Sequence, residues 1–389
     1  VTWTDPTPSA LQPFDGNAEA LAELAGSTMF FYPQAKSTAA LPYTSGPRTY
    51  QNVQYVTGAM VISAPVDQVE KLLTNYAGYA KLFPKVTESS VLVNQKVGNL
   101  ETDANASVRS IVKYHMLIKI LPLLSFDEDM LMQHERTRNS ISTLILNAPI
   151  QYGSGKFEWF PLKNGKTLVT LTQWGDLDRP KGFLVKTVLS AMPEIKYAVP
   201  NGVQGFVFES LRLRFNPDIP TKAISMQNIV PTLNLNSTQE AQVLKLLRQG
   251  GTVQFSHRPV WMVSGNRPEK LSFVSTFYQM PTTMEKSKEG LINLNNFSKI
   301  YRQVRKVKSN PLPGGGNEYD LKIGLGLGVL SIPMHVKLIY MPEAGQNSFR
   351  FYSSGGDVEF VQGRVLFKEL DSKNTLVNLT AAGKVGEDP

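Results

Sequence analysis

Histidine is the side chain most often used for acid–base chemistry near neutral pH, and this chain has only four histidines. None of the four has a second histidine or an acidic residue at the spacing of a helical zinc motif. A lone histidine on a predicted strand is usually a surface residue or a satisfied core residue. We therefore predict no catalytic histidine and no metal site at His115, His134, His257 or His335.

The remaining polar patterns also fail to predict a reaction. Asp127, Glu128 and Asp129 are consecutive acids, but neighbours on a strand point to opposite faces, so we interpret them as solvated. Gly153-Ser154-Gly155 is too short for a nucleophile elbow, and the glycines of residues 324–328 are not followed by the Lys-Ser/Thr of a phosphate loop. The chain has no cysteine, which excludes disulfides and cysteine-based metal centres. The sequence thus predicts no catalytic residues and no cofactor.

The positive charge of the chain is modest for its length. The net charge is +8 over 389 residues, and the densest basic run has only Tyr301 as an interleaved aromatic, so we do not predict nucleic-acid binding. A solvated surface is the favoured interpretation of this run, and transient contact with an anionic membrane surface is the second. The run consists of Lys299, Arg302, Arg305, Lys306 and Lys308.

A long internal repeat organises the chain. Residues 363–383 repeat residues 155–175 without a gap, at an offset of 208, and both copies alternate as a β-hairpin does. Weaker matches continue upstream, where Pro281 corresponds to Pro65 and residues 297–301 correspond to 79–83. A repeat of this length indicates two copies of one domain and not a solenoid of short units.

The repeat predicts a domain organisation. We expect a first domain at 1–215 with an N-terminal extension, a proline-rich linker at 216–236, and a second domain at 237–389. Each copy follows the order strand, short helix pair, several antiparallel strands, which is an α+β order. The first copy ends in a long helix near residues 180–215, and we expect the second copy to lack that helix in this chain.

Two segments carry a resemblance to a known superfamily. Residues 63–86, SAPVDQVEKLLTNYAGYAKLFPKV, resemble the entry segment of START-like (SRPBCC) proteins, which include polyketide cyclases, coenzyme-Q-binding proteins and lipid-transfer domains. Residues 182–200, GFLVKTVLSAMPEIKYAVP, are similar to the long final helix of that superfamily. The resemblance covers 50–215 well and 270–383 more weakly. It implies two tandem helix-grip domains, in each of which a curved antiparallel sheet wraps around a long C-terminal helix and leaves a cavity.

The resemblance also implies a function. We expect non-catalytic binding or transport of a hydrophobic small molecule such as a lipid, sterol or quinone. A didomain polyketide aromatase/cyclase and a protein- or membrane-interaction scaffold with filled cavities are the alternatives. A periplasmic or secreted location is a further expectation. For any one strand residue among the expected ligand contacts, core filling is the favoured interpretation and pocket lining is the second. The expected contacts are Phe157, Trp159, Leu184, Val188, Met192, Ile332, Met334, Val365 and Phe367.

Overall fold

A computed structural model of the chain separates into two compact units, Val1–Asp218 and Ile219–Pro389. We call them unit 1 and unit 2 and describe each by itself. The residues described are 1–43, 46–121, 124–181, 186, 195–217, 229–264, 267–327, 330–343 and 347–385.

Unit 1 is built on one antiparallel sheet of eight strands in the order β1-β4-β10-β9-β8-β7-β6-β5, while β2 and β3 form a separate hairpin. Its helices are α1 (Ala18–Ala25), α2 (Val66–Leu73), α3 (Tyr79–Leu82) and α4 (Ile195–Phe215), with short 3-10 turns at Gln12–Phe14 and Tyr76–Gly78. Its strands are β1 (Met29–Pro33), β2 (Ser37–Tyr43), β3 (Gly46–Val53), β4 (Val56–Ile62), β5 (Val86–Val97), β6 (Ser107–Leu121), β7 (Leu124–Arg136), β8 (Ser140–Asn147), β9 (Gly153–Pro161) and β10 (Thr167–Gly175).

Unit 2 repeats this plan. Its helices are α5 (Ser237–Leu247), α6 (Met284–Ile292) and α7 (Phe297–Ile300), with a 3-10 turn at Leu294–Asn296. Its strands are β11 (Val253–Ser256), β12 (Val260–Ser264), β13 (Arg267–Leu271), β14 (Val274–Met280), β15 (Val304–Pro311), β16 (Asn317–Leu327), β17 (Leu330–Pro342), β18 (Ser348–Gly356), β19 (Val358–Asp371) and β20 (Asn374–Val385).

The strand orders of the two units are the same. The sheet of unit 2 runs β11-β14-β20-β19-β18-β17-β16-β15, and β12 and β13 form a hairpin as β2 and β3 do. Each strand of unit 2 therefore has a counterpart at the same place in unit 1. This order confirms that the repeated hairpin belongs to a duplication of domain length.

The helix α2 begins at Val66, directly after Pro65. Pro65 is its N-cap, and Asp67 lies in its first turn, where the helix dipole stabilises a negative charge. Val69 and Leu73 of this helix are fully buried. The face of the unit 1 sheet that contacts this helix is here called the inner face.

The long helix α4 also packs on the inner face, against β1, β4 and β10. Phe208 and Leu211 of this helix are fully buried. The contact requires a glycine on β4, because a Cβ placed on Gly58 would lie 2.4 Å from Phe208 Cε2. Gly58 pairs with Leu171 of β10. The counterpart of Leu171 in unit 2 is Leu379, which pairs with Thr276, so Thr276 stands at the place of Gly58. Unit 2 thus has a threonine at the place where unit 1 has the glycine that admits Phe208.

The second copy is described through the end of β20 at Val385. Residues 386–389 lie outside the described residues, so the expected absence of a long helix from this copy stays a prediction.

The opposite face of the unit 1 sheet, the outer face, holds the N-terminal extension. Glu158 is 7% exposed and accepts hydrogen bonds from Ser9 Oγ at 2.9 Å and from the Ala10 N–H at 2.7 Å. Lys156 Nζ donates to the Thr7 carbonyl at 2.8 Å. Because neighbours on a strand point to opposite faces, these outward contacts place Phe157 and Trp159 on the inner face.

Candidate functional site

The predicted contacts on β9 lie in the main core of unit 1. Trp159 is 1% exposed, and Phe157 is half-buried and packs against the same cluster. This core joins the inner face of the sheet to α2, α3 and α4. The three contacts predicted on the long helix, Leu184, Val188 and Met192, lie outside the described residues.

The predicted contacts of unit 2 fall in two apolar clusters. Val365 and Phe367 are buried together with Val377. Met334 is half-buried and packs against the cluster around Leu321. The side chain of Ile332 lies outside the described residues. A role of these residues in holding a ligand stays a prediction.

A buried polar network interrupts the apolar inner face of unit 1. His134 on β7 shares one hydrogen bond with Tyr114, with 2.7 Å between Nε2 and the phenol oxygen. It shares a second with Thr143, with 2.8 Å between Nδ1 and Oγ1. The ring of Tyr76 stacks on His134, with 4.6 Å between ring centroids. The residues come from the turn before α3 and from β6, β7 and β8.

Burial fixes the protonation of this network. It lowers the pKa of His134 to about 3, so the imidazole is neutral near pH 7. Burial also raises the pKa values of Tyr76, Tyr79 and Tyr114, so all three remain neutral phenols. Both ring nitrogens of His134 face hydroxyl groups, so the neutral imidazole donates a hydrogen bond at one nitrogen and accepts one at the other.

Two buried polar atoms beside the network have no partner among the described residues. They are the hydroxyl of Tyr76 and Nε of Arg136. By contrast, the Tyr79 hydroxyl donates to the Leu73 carbonyl at 2.5 Å, and Nη2 of Arg136 donates to Glu70 Oε1 at 2.6 Å. Arg136 follows His134 by two residues on β7, so its side chain leaves the same face of the strand as His134, on whose ring Tyr76 stacks.

Strand register identifies the counterparts of this network in unit 2. Phe351 pairs with Tyr340 on β17 as Thr143 pairs with His134 on β7. The same registers and the repeat identify the other counterparts, and in unit 2 most of the polar side chains are replaced by apolar ones. Tyr76, Tyr79, Tyr114, His134, Arg136 and Thr143 correspond to Leu294, Phe297, Leu321, Tyr340, Pro342 and Phe351.

The inner face of unit 2 is therefore apolar and aromatic where that of unit 1 is polar. Tyr340 stacks on Phe351 with ring centroids 5.1 Å apart and meets Tyr319 edge-on at 5.8 Å. The two copies share a fold but differ in the chemistry of the same positions.

The sequence did not predict the network around His134. It predicted only that a lone histidine on a strand is more often a surface residue or a hydrogen-bonded core residue than a catalytic one. The available signal was the alternation of Met130, Met132 and His134, which places all three on one face of β7.

The acidic cluster on β7 lies at the protein surface. His115 Nε2 is 2.6 Å from Asp127, and its Nδ1 is 2.9 Å from Asp129. The hydrogen bond with Asp129 raises the pKa of His115. In unit 2, His335 contacts Asp320 at 2.6 Å, but it occupies the strand position of Asp129 and not that of His115. Within the described ranges, no three histidine or acidic side chains are grouped to hold a metal ion.

None of the helices in the described part of the chain is long and apolar enough to cross a membrane.

Comparison with known proteins returns similarity in structure only. No family model matches the chain, and no curated protein matches it in sequence. A di-domain ARO/CYC of the BE-7585A biosynthetic pathway is 12% identical, with a TM-score of 0.29, and the match covers 85% of this chain and 86% of that one.

Two shorter proteins match less than half of this chain. A fragment of a STAR-related lipid transfer protein from Xanthomonas axonopodis is 15% identical, with a TM-score of 0.29, and the match covers 46% of this chain and 99% of that one. A START superfamily protein from Mycobacterium smegmatis is 13% identical, with a TM-score of 0.26, covering 41% and 96%. These are proteins of the superfamily that residues 63–86 resemble. Likeness at these scores assigns no function.

Proposed function

We propose that the chain binds or carries a hydrophobic small molecule without catalysing a reaction on it. The supporting observation is a set of large apolar side chains that pack on the inner-face core of unit 1 and yet remain only partly buried. A ligand that lies beside α4, against β6, β7 and β9 of the inner face, removes more of this surface from water. The set comprises Leu82, Met116, Met130, Met132, Phe157 and Phe206.

The energetics favour such a ligand. Removing apolar surface from water stabilises a complex by about 25 cal/mol per Å², so ~100 Å² of further burial is worth about 2.5 kcal/mol. Methionine side chains also adapt their shape to a partner more readily than branched ones do. Unit 2 carries half-buried apolar residues on the corresponding face, among them Tyr278, Tyr340, Phe349 and Leu379.

The protonation of the network supports binding over catalysis. A general acid or base needs a pKa near the working pH, whereas burial holds His134 neutral and lowers its pKa to about 3.

Titration of the full chain with Nile red, an uncharged apolar dye, tests the proposal. We expect saturable binding with a blue shift of the emission. Phe157→Ser should weaken binding, while Leu92→Ser, at a side chain that is 57% exposed, should leave it unchanged. No saturable signal, or equal loss in both variants, would contradict the proposal.

The second candidate function is a polyketide aromatase/cyclase. It is favoured by one observation, the convergence of Tyr76, Tyr114 and His134 on an otherwise apolar face. The test is incubation with a linear poly-β-ketone thioester and mass spectrometry of the products. A cyclised product that His134→Gln abolishes would establish this function in place of the first.

We also propose transient contact of unit 2 with an anionic membrane surface. Ile300 is 59% and Tyr301 is 45% exposed, and the exposed cations Lys299 and Arg302 flank them. Co-sedimentation with phosphatidylserine vesicles should fall for Ile300→Ser and should be absent with phosphatidylcholine vesicles. Equal sedimentation with both vesicles would exclude an electrostatic contact.

A further inference from the structure

We propose that the Tyr76 hydroxyl and Nε of Arg136 form an anchor in unit 1 for an oxygen acceptor on the ligand, a carboxylate or a carbonyl, and that unit 2 has no such anchor. This inference rests on the proposed function, because it concerns the polar end of a ligand whose apolar part lies on the inner face.

The first step is the state of the two donors. Both atoms are buried and lack a hydrogen-bond partner among the described residues. Tyr76 as a whole is only 6% exposed, and its ring packs in the main core. A buried donor without a partner costs about 1–3 kcal/mol, so such groups normally meet an acceptor in the working state of a protein.

The second step is that the donors are held in place. The ring of Tyr76 is stacked on His134 at 4.6 Å and meets Tyr79 edge-on at 5.8 Å. The Tyr76 carbonyl accepts a hydrogen bond from Ser89 Oγ at 2.6 Å. Arg136 is held by Glu70 on α2 at 2.6 Å. A binding group that is fixed before the ligand arrives loses little conformational entropy on binding.

The third step is the chemistry of the acceptor. The guanidinium Nε is a donor only, and a phenol that is not ionised donates readily, so the pair complements an oxygen lone pair. Glu70 compensates part of the charge of Arg136, which leaves both a neutral carbonyl and a carboxylate as suitable acceptors. The common feature is an oxygen acceptor at the end of an apolar body.

The fourth step is the contrast between the copies. Leu294 stands at the place of Tyr76, and Pro342 stands at the place of Arg136. Neither side chain can donate a hydrogen bond. Unit 2 therefore selects ligands by apolar shape, and the two copies differ in ligand preference.

The experiment compares three probes on the full chain by fluorescence titration: a pyrene-labelled fatty acid, its methyl ester, and the pyrene-labelled alkane of the same chain length. In the wild type we expect the fatty acid to bind at its tighter site at least about tenfold more strongly than the alkane, with the ester between them. Tyr76→Phe should remove most of this difference and leave the alkane affinity unchanged.

Two control variants make the result specific. Tyr79→Phe removes a neighbouring hydroxyl that already has a partner, and Tyr352→Phe removes a hydroxyl from an exposed position on β18 of unit 2. Both should keep the preference for the acid. Because Tyr76→Phe removes a hydroxyl without a partner, its melting temperature without ligand should equal or exceed that of the wild type.

The outcomes separate the anchor from the proposed function. Equal affinity for acid, ester and alkane, or an acid preference that survives Tyr76→Phe, would overturn the anchor while the carrier function stands. Failure of all three probes to bind would overturn both. A preference for acid over ester identifies the acceptor as a carboxylate, and equal binding of acid and ester identifies it as a carbonyl.

Discussion

The close packing of α4 on the sheet depends on the absence of a Cβ atom at Gly58. In Gly58→Ala, the added Cβ would lie 2.4 Å from Phe208 Cε2 and 3.1 Å from Phe31 Cδ1, so the helix or the rings must move. Overpacking of this kind costs about 1–3 kcal/mol, and replacing a strand glycine returns about 0.5–1 kcal/mol. The net loss is therefore about 0–2.5 kcal/mol, and its midpoint near 1 kcal/mol corresponds to a decrease of about 2–4 °C in the melting temperature of a unit of this size.

Differential scanning calorimetry of the full chain measures this shift, and Gly202→Ala is the matched control. Gly202 lies on the exposed side of α4 with nothing within 4 Å of an added Cβ, so alanine should raise the stability of that helix. Combining Gly58→Ala with Phe208→Leu should cost less than the sum of the two single changes, because they share one contact. Strictly additive costs of the two changes, or a melting temperature of Gly58→Ala above that of the wild type, would refute the close packing of α4 on the sheet.

Two further predictions concern buried polar groups of unit 1. Glu158→Gln should lower the free energy of unfolding by about 1–3 kcal/mol in urea denaturation, because it weakens the bonds from Ser9 and Ala10, whereas the exposed Glu88→Gln should have little effect. Burial lowers the pKa of His134 to about 3 from 6.5, so the unfolded chain binds a proton that the folded protein excludes. The contribution of His134 to the free energy of unfolding is therefore complete above about pH 6.5. It decreases by up to ~1.4 kcal/mol per pH unit as the pH falls toward about 3. His134→Gln should flatten that part of a plot of urea midpoint against pH, and an unchanged slope would contradict the buried neutral imidazole.

The architecture could be predicted because its signals are local and occur twice. The hairpin of residues 155–175 and its repeat at 363–383 alternate as strands do, and the structure pairs them as β9 with β10 and β19 with β20. Phe157 and Trp159 lie two residues apart on β9 and belong to the same core, as this alternation requires. The alternation of apolar and polar residues and the internal repeat can both be detected in a single sequence, because each depends only on the order of residues along the chain.

The polar network could not be predicted, because its members are brought together only by the pairing register of distant strands. Tyr76 and Thr143 both contact His134, although Tyr76 precedes His134 in the sequence and Thr143 follows it. Tyr114 reaches His134 only because β6 and β7 pair in one particular register. A slip of one residue would move His134 to the outer face. The role of the N-terminal extension was missed for the same reason, since its contacts with β8 and β9 cross more than a hundred residues of sequence.

The central claim is that the chain holds a hydrophobic small molecule, and native mass spectrometry of the purified full chain, followed by solvent extraction and lipid analysis, tests it most directly. The account predicts a bound lipid, sterol, quinone or fatty-acyl species that leaves on extraction and returns when the extract is added back. A mass equal to that of the polypeptide alone, unchanged after exposure to a lipid extract, would contradict it.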